Sequence, residues 1–341
     1  MDGVRLRLRP FVFAKGMSMN AKFTDLYATA DYIGPGAIEV PLYQTEITDL
    51  VRRRGVFGQR IKQVPATGHP SRFFEETAIP AATAANAFMD PRNIVPTVVS
   101  PTRVERSVPL KALVAQINYN LFDMELGQQQ SQFSYLQAKD LTDTVDGILR
   151  THDLALWNGT DTSLATPTTL QYFGAAGQIV AGGNTSTVTT SQSIVDGLKT
   201  SIATMLASSS YGVRPTAIYA NPVLLDLIDR EMKAEFNVVL NTKAIEGGLT
   251  VKTLSTQAGD IPLIPEWTLG YTGTPGSGSA VLPAYIVTED MIEYHWLSDP
   301  NPRIFQLGVP GSLASQYVVV KFGGVVVKGA GYAHAQVLVD R

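Results

Sequence analysis

Between Gln128 and Trp157, Phe133, Leu136, Leu141, Val145, Ile148, His152 and Leu156 recur at steps of three, four or five residues. That spacing collects them on one face of an α-helix. At a rise of 1.5 Å per residue the predicted helix, 128–157, is about 45 Å long, and Asn158-Gly159 supplies its stop signal. A single helix of this length with one apolar stripe has to lie along a surface that covers the stripe. His152, on the stripe, reads as a packed core or interface histidine.

Around this helix the pattern changes. Residues 1–30 carry Arg5, Arg7, Arg9, Lys15 and Lys22 with little periodicity and read as an extended arm that starts at Met1, Met17 or Met19. Arg52-Arg53-Arg54 is followed by alternation over 56–64 and 72–79, with the turn-forming Pro65-Ala66-Thr67-Gly68-His69-Pro70 between them, so a long β-hairpin is expected. Residues 102–121 alternate as strand. After the predicted helix, 160–191 is rich in Thr, Gly and Ser and reads as loop with at most short strands. Ser193 with Asp196 resembles a capping box, and Ile194, Leu198, Ile202 and Met205 form one helix face. Residues 216–220 are a short strand, and Asn221-Pro222 opens another helix carrying Leu224, Leu225, Ile228 and Met232. Strands are expected at 249–254, 261–264, 284–288, 303–307, 317–322, 325–328 and 333–339. Helices and strands are unevenly mixed, which is the α+β pattern.

Composition narrows the chemistry. The chain has 341 residues, 45% hydrophobic and 17% charged, with a net charge of −3. That charge content is below the roughly 25% of an average soluble domain, which fits a subunit that hides surface against partners. No cysteine is present, so disulfides, thiolate metal sites and cysteine nucleophiles are excluded. The four histidines, His69, His152, His295 and His334, form no HExxH or His-x-His pair, so a histidine metal site would have to be assembled by the fold. Neither GxxxxGK[ST] nor GxSxG occurs, and the glycines of 273–278 lack a strand-to-helix context. No cofactor is expected. No stretch approaches the roughly 20 apolar residues of a membrane span.

Two charge features stand out. Arg60, Lys62 and Arg72 lie on the limbs of the expected hairpin with Glu75 and Glu76 near its return, which offers both signs to a neighbouring copy. A two-stranded hairpin is marginal alone in water, so one carrying Phe57, Ile61, Val64, Phe73 and Phe74 makes sense if another subunit covers it. The basic arm, with Arg5, Arg7 and Arg9, together with Arg52, Arg53 and Arg54, offers positive charge to anionic neighbours or to packaged nucleic acid, without base specificity.

The order of elements resembles the major capsid proteins of tailed bacteriophages, the Hong Kong 97-like family. Most telling is 211–233, where Pro215-Thr216-Ala217-Ile218-Tyr219-Ala220-Asn221-Pro222 and Leu224-Leu225-Asp226-Leu227-Ile228 are similar to that family's central module. Gly259-Asp260-Ile261-Pro262 and the following Leu263-Ile264-Pro265-Glu266 fit its later strand. The resemblance implies an N-terminal arm (1–30), a peripheral domain (31–54 and 106–189) with the spine helix 128–157, and an extended loop (55–105). It further implies an axial domain (190–300) and C-terminal strands (301–341) that return through the sheets. It implies a structural protein and not an enzyme: pentamers and hexamers form an icosahedral virion shell around double-stranded DNA. Assembly would occur in the host cytoplasm, with portal, scaffolding and decoration proteins as partners and no membrane. Some relatives crosslink a lysine to an asparagine; Lys62 is the lysine on the expected hairpin. Two alternatives stay open: an encapsulin-like compartment shell, and an α+β hydrolase or isomerase using a carboxylate–histidine pair such as Glu293 and His295.

Overall fold

A computed structural model of the chain describes residues 55–78, 88–95, 100–120, 122, 136–208, 212–235, 240–244, 250–274, 280–308 and 314–341. Its helices are α1 (Phe57–Arg60), α2 (Leu136–Asn158), α3 (Ala175–Ala181), α4 (Ile194–Leu206) and α5 (Pro222–Glu235). The early strands are β1 (Lys62–Pro65), β2 (Ser71–Ala78), β3 (Thr102–Val108), β4 (Lys111–Asn120), β5 (Thr185–Val188), β6 (Ala217–Ala220) and β7 (Asn241–Ala244). They are followed by β8 (Thr250–Thr256), β9 (Gly259–Pro265), β10 (Val281–Val287), β11 (Ile292–Trp296), β12 (Arg303–Gly308), β13 (Ala314–Val327) and β14 (Ala335–Asp340). The mixed α+β class expected from the sequence is the class observed.

The larger sheet has seven strands in the order β5-β14-β10-β6-β9-β8-β7. One face receives α4 and α5, whose Ile194, Leu198, Ile202, Leu224 and Ile228 pack on Ile218, Leu263, Leu282 and Val337. The other face carries Tyr219, Ile264 and Tyr285, which pack with Phe57, Trp157, Ile179 and Tyr294. All four residues of β6 are therefore buried, which is why this strand reads as a continuous apolar run and not as alternation. Helix α4 starts as expected, with the Ser193 hydroxyl accepting from the Asp196 amide at 3.1 Å. The carboxylate that completes its cap comes from α5: Glu231 accepts from Ile194 N–H at 3.0 Å and Val195 N–H at 3.1 Å. At α5, Asn221 accepts from Val223 N–H at 3.1 Å.

The second sheet runs β1-β11-β13-β12, with β4 also paired to β13. Strand β13 is one uninterrupted strand where two were expected, because the glycines that suggested a break are packing positions. A Cβ at Gly323 would sit 2.1 Å from the Tyr294 hydroxyl, and one at Gly324 would sit 2.7 Å from the Pro109 carbonyl. Strand β11 and helix α3 were not expected. The latter, Ala175-Ala176-Gly177-Gln178-Ile179-Val180-Ala181, has no side-chain cap, so nothing in its sequence announces a start. In α2 burial increases toward the C-terminus: Leu141 and Val145 are half-buried, whereas Ile148, His152 and Leu156 are buried. Residues 128–135 of the expected helix lie outside the described residues.

The expected hairpin of 56–64 with 72–79 is not formed. Residues 57–60 are helical, and β1 pairs parallel with β11, Lys62 opposite Glu293. Strand β2 pairs instead with β3, antiparallel, from Ser71 opposite Val108 to Ala78 opposite Thr102. The reason is burial. Phe57 and Ile61, four residues apart, share a helical face and sit in the core, so this limb belongs to the body. Phe57 and Ile61 are not apolar residues awaiting a neighbour.

Candidate functional site

The β2–β3 ribbon is the element that stands apart from the two sheets, and it begins on a built seat. Its first residue, Ser71, is 4% exposed. The Ser71 hydroxyl lies 2.8 Å from His295 Nδ1, and His295 Nε2 lies 3.2 Å from Glu293 Oε2. Glu293 and His295 are two apart on β11 and so share a sheet face. Glu293 also binds Lys62 at 3.1 Å and Lys328 at 2.7 Å. Burial pushes the Glu293 carboxyl up, but its hydrogen bonds from Lys328 and Lys62 outweigh that and hold it below the ordinary range. An ionised carboxylate only accepts, so His295 carries its proton on Nε2, and Nδ1 accepts from Ser71. Burial lowers the His295 pKa, partly offset by its bond to Glu293.

This serine–histidine–carboxylate relay has the connectivity of a hydrolytic triad but not its setting. Ser71, His295 and Glu293 are all buried, and the carboxylate is already engaged by two lysines. A cavity of about 430 Å³ lies beside the ribbon, between Glu75, Arg106, Phe173 and Tyr332, and none of the relay residues lines it. The relay holds the ribbon's start to β11. The carboxylate–histidine pair expected from sequence is thus a real contact, and the serine was missed because it lies 224 residues away in sequence.

Farther along, the ribbon is a ladder of ion pairs. Arg72 meets Glu105, Arg103 meets Glu76 and Arg106 meets Glu75, each at 3.0 Å. Glu75 also accepts from Gly329 N–H at 3.0 Å, and Lys328 stands 5.0 Å from the Phe73 ring. These contacts put the Phe73 and Glu75 face against the body. On the opposite face Phe74 is 71% exposed among charges that are already paired. A second apolar surface lies on the other sheet's edge. The registers place Phe305, Leu307, Val114 and Phe322 on one face with Val318 and Val320, and the first four are exposed.

Comparison with known proteins identifies this architecture. No protein-family model matches the sequence, and no curated protein sequence is significantly similar to it. Solved structures do match. One from Gordonia phage Cozz is 15% identical with a TM-score of 0.53, covering 98% of this chain and 98% of that one. The holo-SrpI encapsulin complex from Synechococcus elongatus PCC 7942 is 13% identical with a TM-score of 0.57, covering 89% and 93%. The capsid of a native GTA particle is 11% identical with a TM-score of 0.54, covering 89% and 96%.

The chain has the Hong Kong 97-like fold.

Within this Hong Kong 97-like chain, the residues singled out by sequence fall in four places. Arg5, Arg7, Arg9, Arg52, Arg53 and Arg54 lie outside the described residues. Arg60 is internal: it grips Glu289 with Nε at 2.7 Å and Nη2 at 2.8 Å, and its Nε is 3.2 Å from the Tyr219 hydroxyl. The Glu289 bond raises its pKa still further. Lys62 is at the seat, with a side chain 60% exposed, and Arg72, Glu75 and Glu76 are in the ribbon ladder. Sequence reasoning passed over Glu266, which is fully buried and accepts from Val56 N–H and Phe57 N–H at 2.8 Å each, and from the Thr268 hydroxyl at 3.0 Å. With Asp153, which accepts from Gly55 N–H at 2.9 Å, it fixes the entry to the body. The one available signal was a glutamate directly after an apolar strand. Among the described residues no group of three or more His, Asp or Glu is placed to hold a metal, and no helix is long and apolar enough to cross a membrane.

Proposed function

We propose that this chain is a structural, non-catalytic shell subunit: copies assemble as pentamers and hexamers into an icosahedral capsid around the double-stranded DNA of a tailed phage. The observation that carries this reading is the match to a phage structure over 98% of both chains. The exposed surfaces agree with it. Phe74 on the ribbon and the Val114, Phe305, Leu307 and Phe322 face are apolar areas that a shell would cover, and contiguous exposed apolar patches mark interaction sites. In this reading the extended loop, 55–105 by the sequence, carries the β2 strand of the ribbon, and the seven-stranded sheet belongs to the axial domain. The long helix α2 belongs to the peripheral domain, and 1–30 forms the arm. Arg60 is an internal tie, so the inter-subunit contacts pass to the ribbon's outer face. The basic residues of the arm and Arg52 to Arg54 would face DNA through nonspecific phosphate contacts. Portal, scaffolding and decoration proteins are the partners such a shell would use, and the virion is its location.

The similarity to an encapsulin complex favours one second reading, a protein compartment with the same shell and a different cargo. Both readings predict that the full chain, expressed and purified, sediments as particles of megadalton size. A monomer or small dimer at every concentration and salt would reject both. Particle contents separate them: nuclease-protected double-stranded DNA in particles from the native source supports the phage shell, and an enclosed protein without DNA supports the compartment.

A further inference from the structure

We propose that the Ser71–His295–Glu293 relay, braced by Lys62 and Lys328, is an acid-sensitive latch: it holds the start of the ribbon on β11 at neutral pH and releases it when His295 takes a proton. The inference does not rest on the shell-forming reading, because every part of the latch lies within one chain.

The groups that face His295 come from four segments. Strand β11 itself contributes Glu293, β2 contributes Ser71 and the Phe73 ring at 6.4 Å, β1 contributes Lys62, and the residue after β13 contributes Lys328. The ladder neighbours of His295, Val64 on β1 and Gly324 on β13, bring no charge. Two lysines against one carboxylate leave the cluster with one net positive charge while the imidazole is neutral. A second proton adds another positive charge in a buried place, which costs free energy unless the group is hydrated or better paired. Glu293 offers little more pairing, since its two oxygens already accept from Lys62, Lys328 and His295.

The second proton would also sit on Nδ1, where the neutral ring accepts from Ser71. The hydroxyl must then turn from donor to acceptor, and its own proton needs a new partner in a site that is 4% exposed. Release of Ser71 is the movement that answers both problems, because it lets water reach the ring. Ser71 is the ribbon's first residue, and the turn before it (66–70) is not part of either sheet. Farther along, Glu75 on Gly329 N–H and the Arg106–Glu75 pair involve no histidine, so the loosening is confined to the start of the ribbon.

The size of the effect follows from linkage. In the released state His295 regains an ordinary value near 6.5, while in the seated state burial lowers it, partly offset by Glu293. Acidification from pH 7.5 to 5.5 then favours the released state, by at most about tenfold for one histidine. Hydrogen–deuterium exchange of the full chain, corrected for the intrinsic pH dependence of amide exchange, reads this directly. In the wild type, the acceleration between pH 7.5 and pH 5.5 should reach up to about tenfold in peptides spanning 62–76 and should exceed that of peptides spanning 217–220 and 281–287. His295→Gln, whose amide can donate to Glu293 and accept from Ser71 but cannot titrate, should abolish the acceleration. Equal acceleration across all peptides of the wild type would overturn the latch, since His152 and His334 are buried in the body and would act on it as a whole. The wild-type measurement decides this even if the variant does not fold. Acceleration at 62–76 that persists in His295→Gln would overturn it as well.

Discussion

The seven-stranded sheet and the β2–β3 ribbon are held by different forces. The sheet is covered on both faces, by α4 and α5 on one and by the Phe57, Trp157 and Tyr294 cluster on the other, so apolar burial dominates. The ribbon has two strands, three cross-strand ion pairs, one seated end and the few contacts of Glu75 and Phe73 with the body. Exposed ion pairs add little stability, and a two-stranded ribbon is marginal by itself. The difference teaches that the body can fold on its own contacts, whereas the ribbon depends on its seat and on whatever covers Phe74.

The contrast is most easily broken in the body. Leu198→Ala deletes a fully buried side chain between α4 and the large sheet and should cost about 3 kcal/mol in urea unfolding, with Phe74→Ala within about 0.5 kcal/mol of wild type. Equal losses would mean that the ribbon is as integral as the sheet. Glu266→Ala strands the Val56 and Phe57 amides and the Thr268 hydroxyl, and should lower stability by about 2 kcal/mol. Proteolysis should then cut first near residue 55; an unchanged unfolding midpoint would show that water replaces the carboxylate at no cost.

Acid should act on the body through its histidines. Burial lowers His334 to about 4, against a smaller opposing effect from its bond to the Lys328 carbonyl, and burial and then Lys321 hold His152 well below its ordinary value. Their unfolded forms titrate near 6.5, so the unfolded chain binds more protons below that pH. Stability is therefore full above about 6.5 and falls on acidification, for His334 by about 1.4 kcal/mol per pH unit down to about pH 4. His334→Gln should flatten its share of the slope in thermal melts from pH 7 to 5, and a slope identical to wild type would contradict the assignment. At the small end, Arg72→Ala and Arg106→Ala should each cost less than about 1 kcal/mol, because both arginines are largely exposed. A larger loss would show that the ladder is integral to the body.

The parts legible in the sequence are those where local chemistry and final burial agree. Ser193 and Asn221 cap their helices as read, and the apolar faces of α4 and α5 are the buried faces. The misreadings arise where distant residues decide. Alternation over 56–64 looked like strand, but Phe57 and Ile61 are helix-spaced core residues whose first turn is capped by Glu266, 209 residues from Phe57. Gly323-Gly324 looked like a break, but Tyr294 and Pro109 occupy the space their side chains would need. At the seat, Glu293 and His295 were visible as a pair on one strand, while Ser71, Lys62 and Lys328 reach them only through pairing between strands.

The claim that the body is self-sufficient and the ribbon's outer face serves assembly is tested most directly by negative-stain microscopy of the wild type beside Phe74→Asp, with melting temperatures matched. The account predicts closed shells for the wild type, and folded subunits without closed shells for the variant. A wild type that never assembles, or a variant that closes shells as readily, would contradict it.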